Sequence, residues 1–415
     1  MNYLEQLTHK ESERQKNTLN LIASENYPSP KTLQLLGSVW NDKYAEGYPG
    51  KRYYAGNVFS DELEEFVGKK ALEVFDSTGE YGVNVQVLSG SPANAMVYFT
   101  VLEPGDTVLS LNLASGGHLS HLHATSSYLK FFKYTNYSLM SKKHGLAIDE
   151  VDFKNKLKET KPRLVILGFS SYPRKYEFAK LCKLAHEAGA LVLADISHIA
   201  GLVVTDLHDS PFKSNGEGAD FVVTTTHKTL RGPRSALIFA KNEYMSALNK
   251  TIFPGTSGGP HLNQIAAVGQ SLLEITGEDV YPDKIDFKQY MQNVLQNTSS
   301  LETGLIEVDQ EVVAATQNHL CLVKLPEKCD SLDVQTLLEK VGIITNRNAV
   351  PNDDRSPWRP SGLRLGMAAL TSRGILPEQA RELGVAVGSL ISGDTTEGAV
   401  AGFTKDMSSQ LKWYF

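Results

Sequence analysis

Between about residue 83 and residue 240, short runs of consecutive apolar residues alternate with longer, one-sided helical stretches. Val83–Leu88, Val108–Leu113, Arg163–Gly168 and Ala190–Ala194 read as strands, each a brief β-branched or leucine-rich run closed by turn residues. Between the last two, Phe178, Leu181, Cys182 and Ala185 share one face of a helix over about 175–187, with Gly189 past its end. After the first strand, Ser91 reads as an N-cap with Pro92 at the first helical position. Strands alternating with helices predict a mostly parallel sheet covered on both faces, the α/β class. Ser235–Ala240 follows the preceding apolar run too closely for a helical crossover, so it is expected to run antiparallel.

The flanks have a different texture. The first forty residues read as polar helix interrupted at Pro28 and Pro30, with too little apolar periodicity for a core of their own. Turn residues then crowd Tyr44-Ala-Glu-Gly-Tyr-Pro-Gly-Lys-Arg-Tyr-Tyr54-Ala-Gly. Four tyrosines and Glu46 make this look like a site loop, an ordered surface loop being the plainer alternative. Beyond Glu274, polar helices enclose strand-like Leu320–Leu325 and Gly342–Thr345, with a helix at Leu332–Lys340, as in a smaller α+β domain. A chain of 415 residues is expected to split into domains. The expected division is a helical arm (1–40), a large domain (41–275) and a small one (276–415).

Composition narrows the function classes. Lys and Arg number 41 against 47 Asp and Glu, a net charge of −6, which argues against nucleic acid or an anionic membrane as partner. Cys182, Cys321 and Cys329 are too few and scattered for a disulfide framework, so a reducing compartment, the cytoplasm, is the simplest home. The first residues carry no signal-peptide pattern, and no apolar stretch is long enough to span a bilayer.

The chemistry concentrates at strand ends. The β-branched run Val222-Val-Thr-Thr-Thr-His227 stops at Lys228, where α/β enzymes gather their reactive groups. A desolvated lysine amine there can condense with a carbonyl. The preceding strand ends at Asp195, and a Schiff-base lysine with an acid to pair a pyridinium nitrogen is what a pyridoxal-phosphate site requires. A helix N-cap is the other reading of Asp195. Ser89-Gly90-Ser91 between strand and helix offers hydroxyls and helix amides to a phosphate. His118 follows another strand, where it could stack on a planar cofactor or stand in solvent. His118, His121 and His123 lack the acid or Cys pair that a metal site would add, so no metal is expected. Arg364, between Gly362 and Gly366, suits two-point capture of a carboxylate or an exposed salt bridge equally well.

Together these motifs resemble the serine hydroxymethyltransferase family of fold-type-I pyridoxal-phosphate enzymes. The likeness runs nearly end to end. It covers Asn20–Asn26, Lys43–Tyr54, Ser89–Ser91, Gly116–Leu119, Asp195–Gly201, Thr224–Arg234, Phe253–Gly255, Gly258–His261, Asn348–Asn352 and Gly362–Gly366. The resemblance implies a mostly parallel seven-stranded sheet in the large domain, with a smaller α+β C-terminal domain. It implies pyridoxal 5'-phosphate as cofactor and tetrahydrofolate as co-substrate, serine passing its hydroxymethyl carbon to give glycine and 5,10-methylenetetrahydrofolate. It assigns Lys228 as the cofactor's anchor, Asp195 to its ring nitrogen and His118 to its ring face. His198 and Ser170 go to its phenolic oxygen side, and Ser89, Gly90 and Ser91 to its phosphate, with Arg234 also at the cofactor. Tyr44, Glu46, Tyr54 and Gly259 would come from the partner subunit of a homodimer with shared sites. Ser24, Glu46, Tyr54 and Arg364 would bind serine, and Glu46 would move protons. His227 would tune the choice of reaction. Leu113, Gly117, His118, Leu119 and Asn348, with Ser356, Pro357 and Trp358, would line the folate site.

The chain departs from the family's usual pattern at Val87-Leu88, Leu122, Pro92, Ser235-Ala236 and Met367. Leu122, where glycine is usual, is expected to crowd the folate entrance. Two alternatives stand beside the transferase: a folate-independent aldolase acting on β-hydroxy amino acids, and a catalytically retired cofactor-binding protein. Glu46 and the folate-lining set argue against the first. The presence of every bond-making residue argues against the second.

Overall fold

The central strands are apolar on both faces, and the parity of their residues decides which side each one fills. A computed structural model describes all residues except 143, 144 and 215. In chain order, the large sheet comprises β1 (Tyr81–Asn84), β2 (Thr107–Leu111), β3 (Lys133–Tyr137), β4 (Leu164–Gly168), β5 (Leu191–Asp195), β6 (Phe221–Thr225) and β7 (Ala236–Lys241). Their order across the sheet is β1-β7-β6-β5-β4-β2-β3. The strands from β6 to β3 pair in parallel, and β7 runs antiparallel to both neighbours, as the short connection requires. Leu164 and Ile166 of β4 enter one core cluster, Val165 and Leu167 the other. β5 to β7 split in the same way, Phe221 and Val223 opposing Val222. Consecutive strand residues point to opposite faces, so a sheet buried on both sides needs unbroken apolar runs.

The helices that matter for the site are α1 (Tyr3–Lys16), α2 (Pro30–Leu36), α3 (Val58–Phe75), α4 (Gly90–Val101), α5 (Phe178–Glu187), α6 (Leu262–Thr276), α7 (Phe287–Glu307) and α8 (Pro377–Ser392). None of the α1 residues is buried. Pro30 does not interrupt α2; it opens the helix behind Ser29, whose hydroxyl accepts the Thr32 N–H at 3.1 Å. A second, antiparallel sheet runs β8 (Glu311–Val312), β9 (Leu320–Lys324), β11 (Gly362–Gly366), β10 (Asn346–Asn348) in spatial order. It shares a core with α8 and with Leu19 and Leu21 of the N-terminal segment. Helix α7 joins the two cores: Phe287, Tyr290, Met291 and Val294 pack in the first, Leu301 and Leu305 in the second. Among the described residues no helix is long and apolar enough to cross a membrane.

Three local expectations are corrected. The first strand covers Tyr81–Asn84, not Val83–Leu88, because the Asn84 side chain accepts the Gln86 N–H at 2.9 Å and turns the chain out of the ladder. The helix after it is capped by Ser89, not Ser91: the Ala93 N–H bonds to the Ser89 carbonyl at 3.0 Å. Pro92 then lies within the first turn, where its missing N–H leaves nothing unpaired. Asp195 caps no helix; it ends β5, and its Oδ1 accepts the Ser197 N–H at 3.1 Å.

Leu122 does not crowd a cavity entrance. It is fully buried in the same core cluster as Val87, Val97 and Tyr98, and it holds a φ of 61°. Glycine would relax that backbone but empty the core position. Leu122→Gly is therefore expected to lower stability by about 1–4 kcal/mol, the cavity cost less the relief at positive φ. Denaturant unfolding measures this, with folate affinity unchanged; tighter folate binding at equal stability would return the side chain to the entrance. Met367, another departure, is likewise buried in the second core.

Candidate active site

Parallel strands deliver their C-terminal ends to one edge, and the reactive residues collect there. Asp195 ends β5, Ser170 follows β4, His118 follows β2, and Lys228 sits three residues beyond the end of β6. The N-terminus of α4 brings Ser89, Gly90 and Ser91 to the same place. The smaller sheet supplies Arg364 from its central strand β11, paired with Leu322 and Asn346. With Ser24, Leu113, Gly117, Leu119, His198, His227 and Arg234, these residues line one cavity of about 450 Å³.

The electrostatics of the cavity follow from dry, opposed charges. Burial alone would raise the Asp195 pKa. A 2.9 Å hydrogen bond from His121 Nε2, nearby Lys228 and a 2.9 Å bond from Asn94 Nδ2 outweigh it and hold the carboxyl ionised, far below its usual range. Burial pulls Lys228 down to about 8, helped by Arg364 and Arg234 and opposed by Asp195. An amine in that range is far more available as a nucleophile than a solvated lysine. Burial also lowers His118 to about 4, and lowers His227 to about 3 with Lys228 beside it. Both rings are therefore neutral at physiological pH.

The residues present fit pyridoxal phosphate. At the mouth of α4, the Ser89 side chain forms no capping bond among the described residues, leaving hydroxyl and amides open to an anion. The Thr225 Oγ1 beside it is buried and without a partner among the described residues. Gly90 lies so close that an added Cβ would stand 2.8 Å from Thr225 Cγ2. Deeper in, His118 Nδ1 meets Ser120 Oγ at 2.7 Å, and Ser170 Oγ donates to the Gly117 carbonyl at 2.8 Å. His198 Nδ1 lies 3.2 Å from His319 Nε2, a residue contributed by the chain just before β9.

The lysine loop is clamped from behind. Asn26 Nδ2 donates to the Lys228 carbonyl and to Tyr290 Oη, both at 2.8 Å, and Ser372 Oγ donates to Asn26 Oδ1 at 2.7 Å. Arg231, three residues after the lysine, has its guanidinium 3.8 Å from the ring centres of both Tyr281 and Tyr290, and it pairs with Asp283 at 2.8 Å.

Not every expected residue reaches the cavity. Tyr44, Glu46, Tyr54 and Gly259 lie outside its lining, yet gather with one another. Tyr44 Oη is 3.3 Å from Glu46 Oε1, the Tyr44 and Tyr54 rings are 5.0 Å apart, and Gly259 faces Tyr44 and Glu46. Arg52 ties their loop down, donating to the Ala45 and Gly47 carbonyls and pairing with Asp61 and Glu64. Asn348 ends β10, and Ser356, Pro357 and Trp358 form an exposed loop; none of the four lines the cavity. His118, His121 and His123 turn to different partners, Ser120, Asp195 and Thr125. The residues missed in the sequence are Asn94, Ser120 and His319; His121, weighed there only as a metal ligand, is instead a partner of Asp195. For Asn94 a signal existed: it lies four residues after Gly90 on one helix, and so on the same face.

A reactive buried lysine facing an ionised acid, with an anion seat at the same sheet edge, puts the chain in the class of fold-type-I pyridoxal-phosphate enzymes. Comparison with known proteins gives the particular family. The family model described as serine hydroxymethyltransferase matches residues 2–387. The serine hydroxymethyltransferase of Desulfotalea psychrophila (strain LSv54 / DSM 12343) is 44% identical over 370 residues, covering 89% of this chain and 83% of that protein. The chain belongs to the serine hydroxymethyltransferase family, one-carbon transferases that use pyridoxal phosphate and tetrahydrofolate.

Proposed function

We propose that the cavity transfers the hydroxymethyl carbon of serine reversibly to tetrahydrofolate, giving glycine and 5,10-methylenetetrahydrofolate, in the cytoplasm. The observation that carries this reading is the meeting of Lys228, Asp195, His118 and Arg364 in one cavity. Bound there, pyridoxal phosphate supplies an electron-withdrawing pyridinium conjugated to the substrate's α-carbon. Asp195 keeps a proton on the ring nitrogen, and His118 covers the ring. Ser89, Gly90 and Ser91 take the phosphate with the α4 dipole behind them, and Lys228 supplies the anchoring amine. His198 and Ser170 lie on the phenolic side. Arg364 and Ser24 orient serine by its carboxylate, leaving the hydroxymethyl group toward Glu46 and Tyr54, which a second copy of the chain would supply. Glu46 holds and returns the proton at the hydroxymethyl oxygen. Leu113, Gly117, Leu119 and Asn348, with residues 356–358, line the folate path. The assay is tetrahydrofolate-dependent formation of glycine from serine. Cleavage of β-hydroxy amino acids indifferent to folate would favour the aldolase instead.

The reading includes a homodimer with shared sites. A second groove of about 920 Å³ adjoins the cavity, sharing Ser24, Glu25, His227 and Arg234 with it and walled by α1 and α2. The exposed Tyr44, Tyr53, Tyr54 and Phe59 have the apolar character of a surface that a partner covers, and no residue of the polar α1 is buried within the chain. We take 1–40 as the arm, 41–275 as the large domain and 276–415 as the small one. If Glu46 serves the partner's Lys228, a mixture of Lys228→Gln and Glu46→Gln proteins that exchange subunits should regain activity. Half the dimers are mixed and half their sites intact, so recovery reaches about a quarter of the wild-type rate under two-fold symmetry. No recovery after proven exchange would place both residues in one chain's site.

A further inference from the structure

Asp195 and His118, the two groups given to the cofactor ring above, are both tied to one side chain. Asn94 is fully buried on α4, the helix whose N-terminus forms the phosphate seat. Its Nδ2 donates to Asp195 Oδ2 and to Ser120 Oγ, each at 2.9 Å. The amide cannot be turned over without setting its oxygen against a carboxylate oxygen, so the donor direction is chemically fixed. With Asn94 donating to it, Ser120 Oγ sends its own proton to His118 Nδ1 at 2.7 Å, and the Ser120 N–H reaches the same nitrogen at 3.1 Å. Two donors on Nδ1 leave the ring proton of His118 on Nε2. The cost is visible, for Asn94 Oδ1 is buried with no partner among the described residues. A residue needed only to fill space would not be an amide here, since leucine would do so without an orphaned oxygen.

We propose that Asn94 is a positioning residue that sets the Asp195 carboxylate directly and the His118 ring through Ser120, so that both contacts to the cofactor ring are aligned by one amide. This rests on the reading of the cavity as a pyridoxal-phosphate site. The test measures pyridoxal-phosphate dissociation, the pH midpoint of the holoenzyme's visible band and thermal stability. The proteins are wild type, Asn94→Leu, Asn94→Asp, Ser120→Ala and Asn94→Leu/Ser120→Ala. Asn94→Leu is expected to weaken cofactor retention about ten- to a hundredfold, the scale of a lost hydrogen bond to a charged group, and to move the band's midpoint. Asn94→Asp, nearly the same shape, should act in the same direction, and it decides the matter if the leucine protein does not fold. In the Ser120→Ala background the leucine change should cost less than in wild type, because one arm of the bridge is already gone. Loss of thermal stability with unchanged cofactor affinity and band would overturn the inference, as would additive effects of the two substitutions. A wild-type protein that binds no pyridoxal phosphate would overturn the reading of the cavity itself.

Discussion

Lys228→Gln is expected to abolish turnover, with a loss of at least about a thousandfold, while the fold survives. Lys228 is 7% exposed, and Asp195 is the carboxylate that acts on it. Glutamine keeps most of its volume but cannot form the covalent link, so cofactor would be held by the phosphate seat and ring contacts alone. Borohydride reduction of the wild-type holoenzyme followed by peptide mapping should place the pyridoxyl label on Lys228; a label on any other lysine sinks the assignment. The pH dependence has a definite sign. With the amine drawn down to about 8, cofactor capture should speed up as pH rises toward that value and level off above it. Continued acceleration through the ordinary lysine range, about 10.4, would show a solvated amine.

The second large effect is expected at Arg364. Its Nη1 donates to the Ser170 carbonyl at 2.6 Å and its Nε to Asn346 Oδ1 at 3.2 Å, but among the described residues no carboxylate pairs with it. Burial without a counterion pulls its pKa down to about 10. A substrate carboxylate would supply the missing charge, and supply it in the planar geometry a guanidinium prefers. Arg364→Ala should therefore weaken serine and glycine by about 1.5–3 kcal/mol, roughly ten- to a hundredfold, and cofactor much less. Lysine at this position should recover only part of the loss, since an ammonium cannot form the two-point pair. Unchanged amino-acid affinity in Arg364→Ala would mean that the carboxylate binds elsewhere.

What could be read along the chain followed from how local the physics is. The strands β4 and β5 were legible because a strand buried on both faces must be apolar throughout, and α5 because its four inward residues repeat at helical spacing. The antiparallel β7 was legible from loop length alone. The helix at the phosphate seat slipped by two residues, because serine identity marks a cap only when the side chain is used for capping, and Ser89 leaves its hydroxyl free. Leu122 was misplaced for a related reason: an unusual residue beside a site motif says nothing about which way its side chain turns. The Asn94 and His121 bonds to Asp195 span 101 and 74 residues, so no local pattern announces them. Lys228, Asp195 and Arg364 could be picked out because a strand-end lysine, a strand-end acid and a glycine-flanked arginine each carry chemistry on their own.

The clamp on the lysine loop bears on how this chain could be divided. Asn26 comes from the N-terminal segment, Tyr290 from the helix bridging both cores, and Ser372 from beyond the smaller sheet; all three meet behind the Lys228 carbonyl. Cutting away the chain beyond residue 275 would remove two of these supports and the stacked tyrosines that hold Arg231. The sheet carrying the nucleophile is thus no self-sufficient module. A shortened or circularly permuted version would have to preserve contacts drawn from both ends of the chain, and recombination between relatives would be tolerated only where it keeps those ends from a common parent.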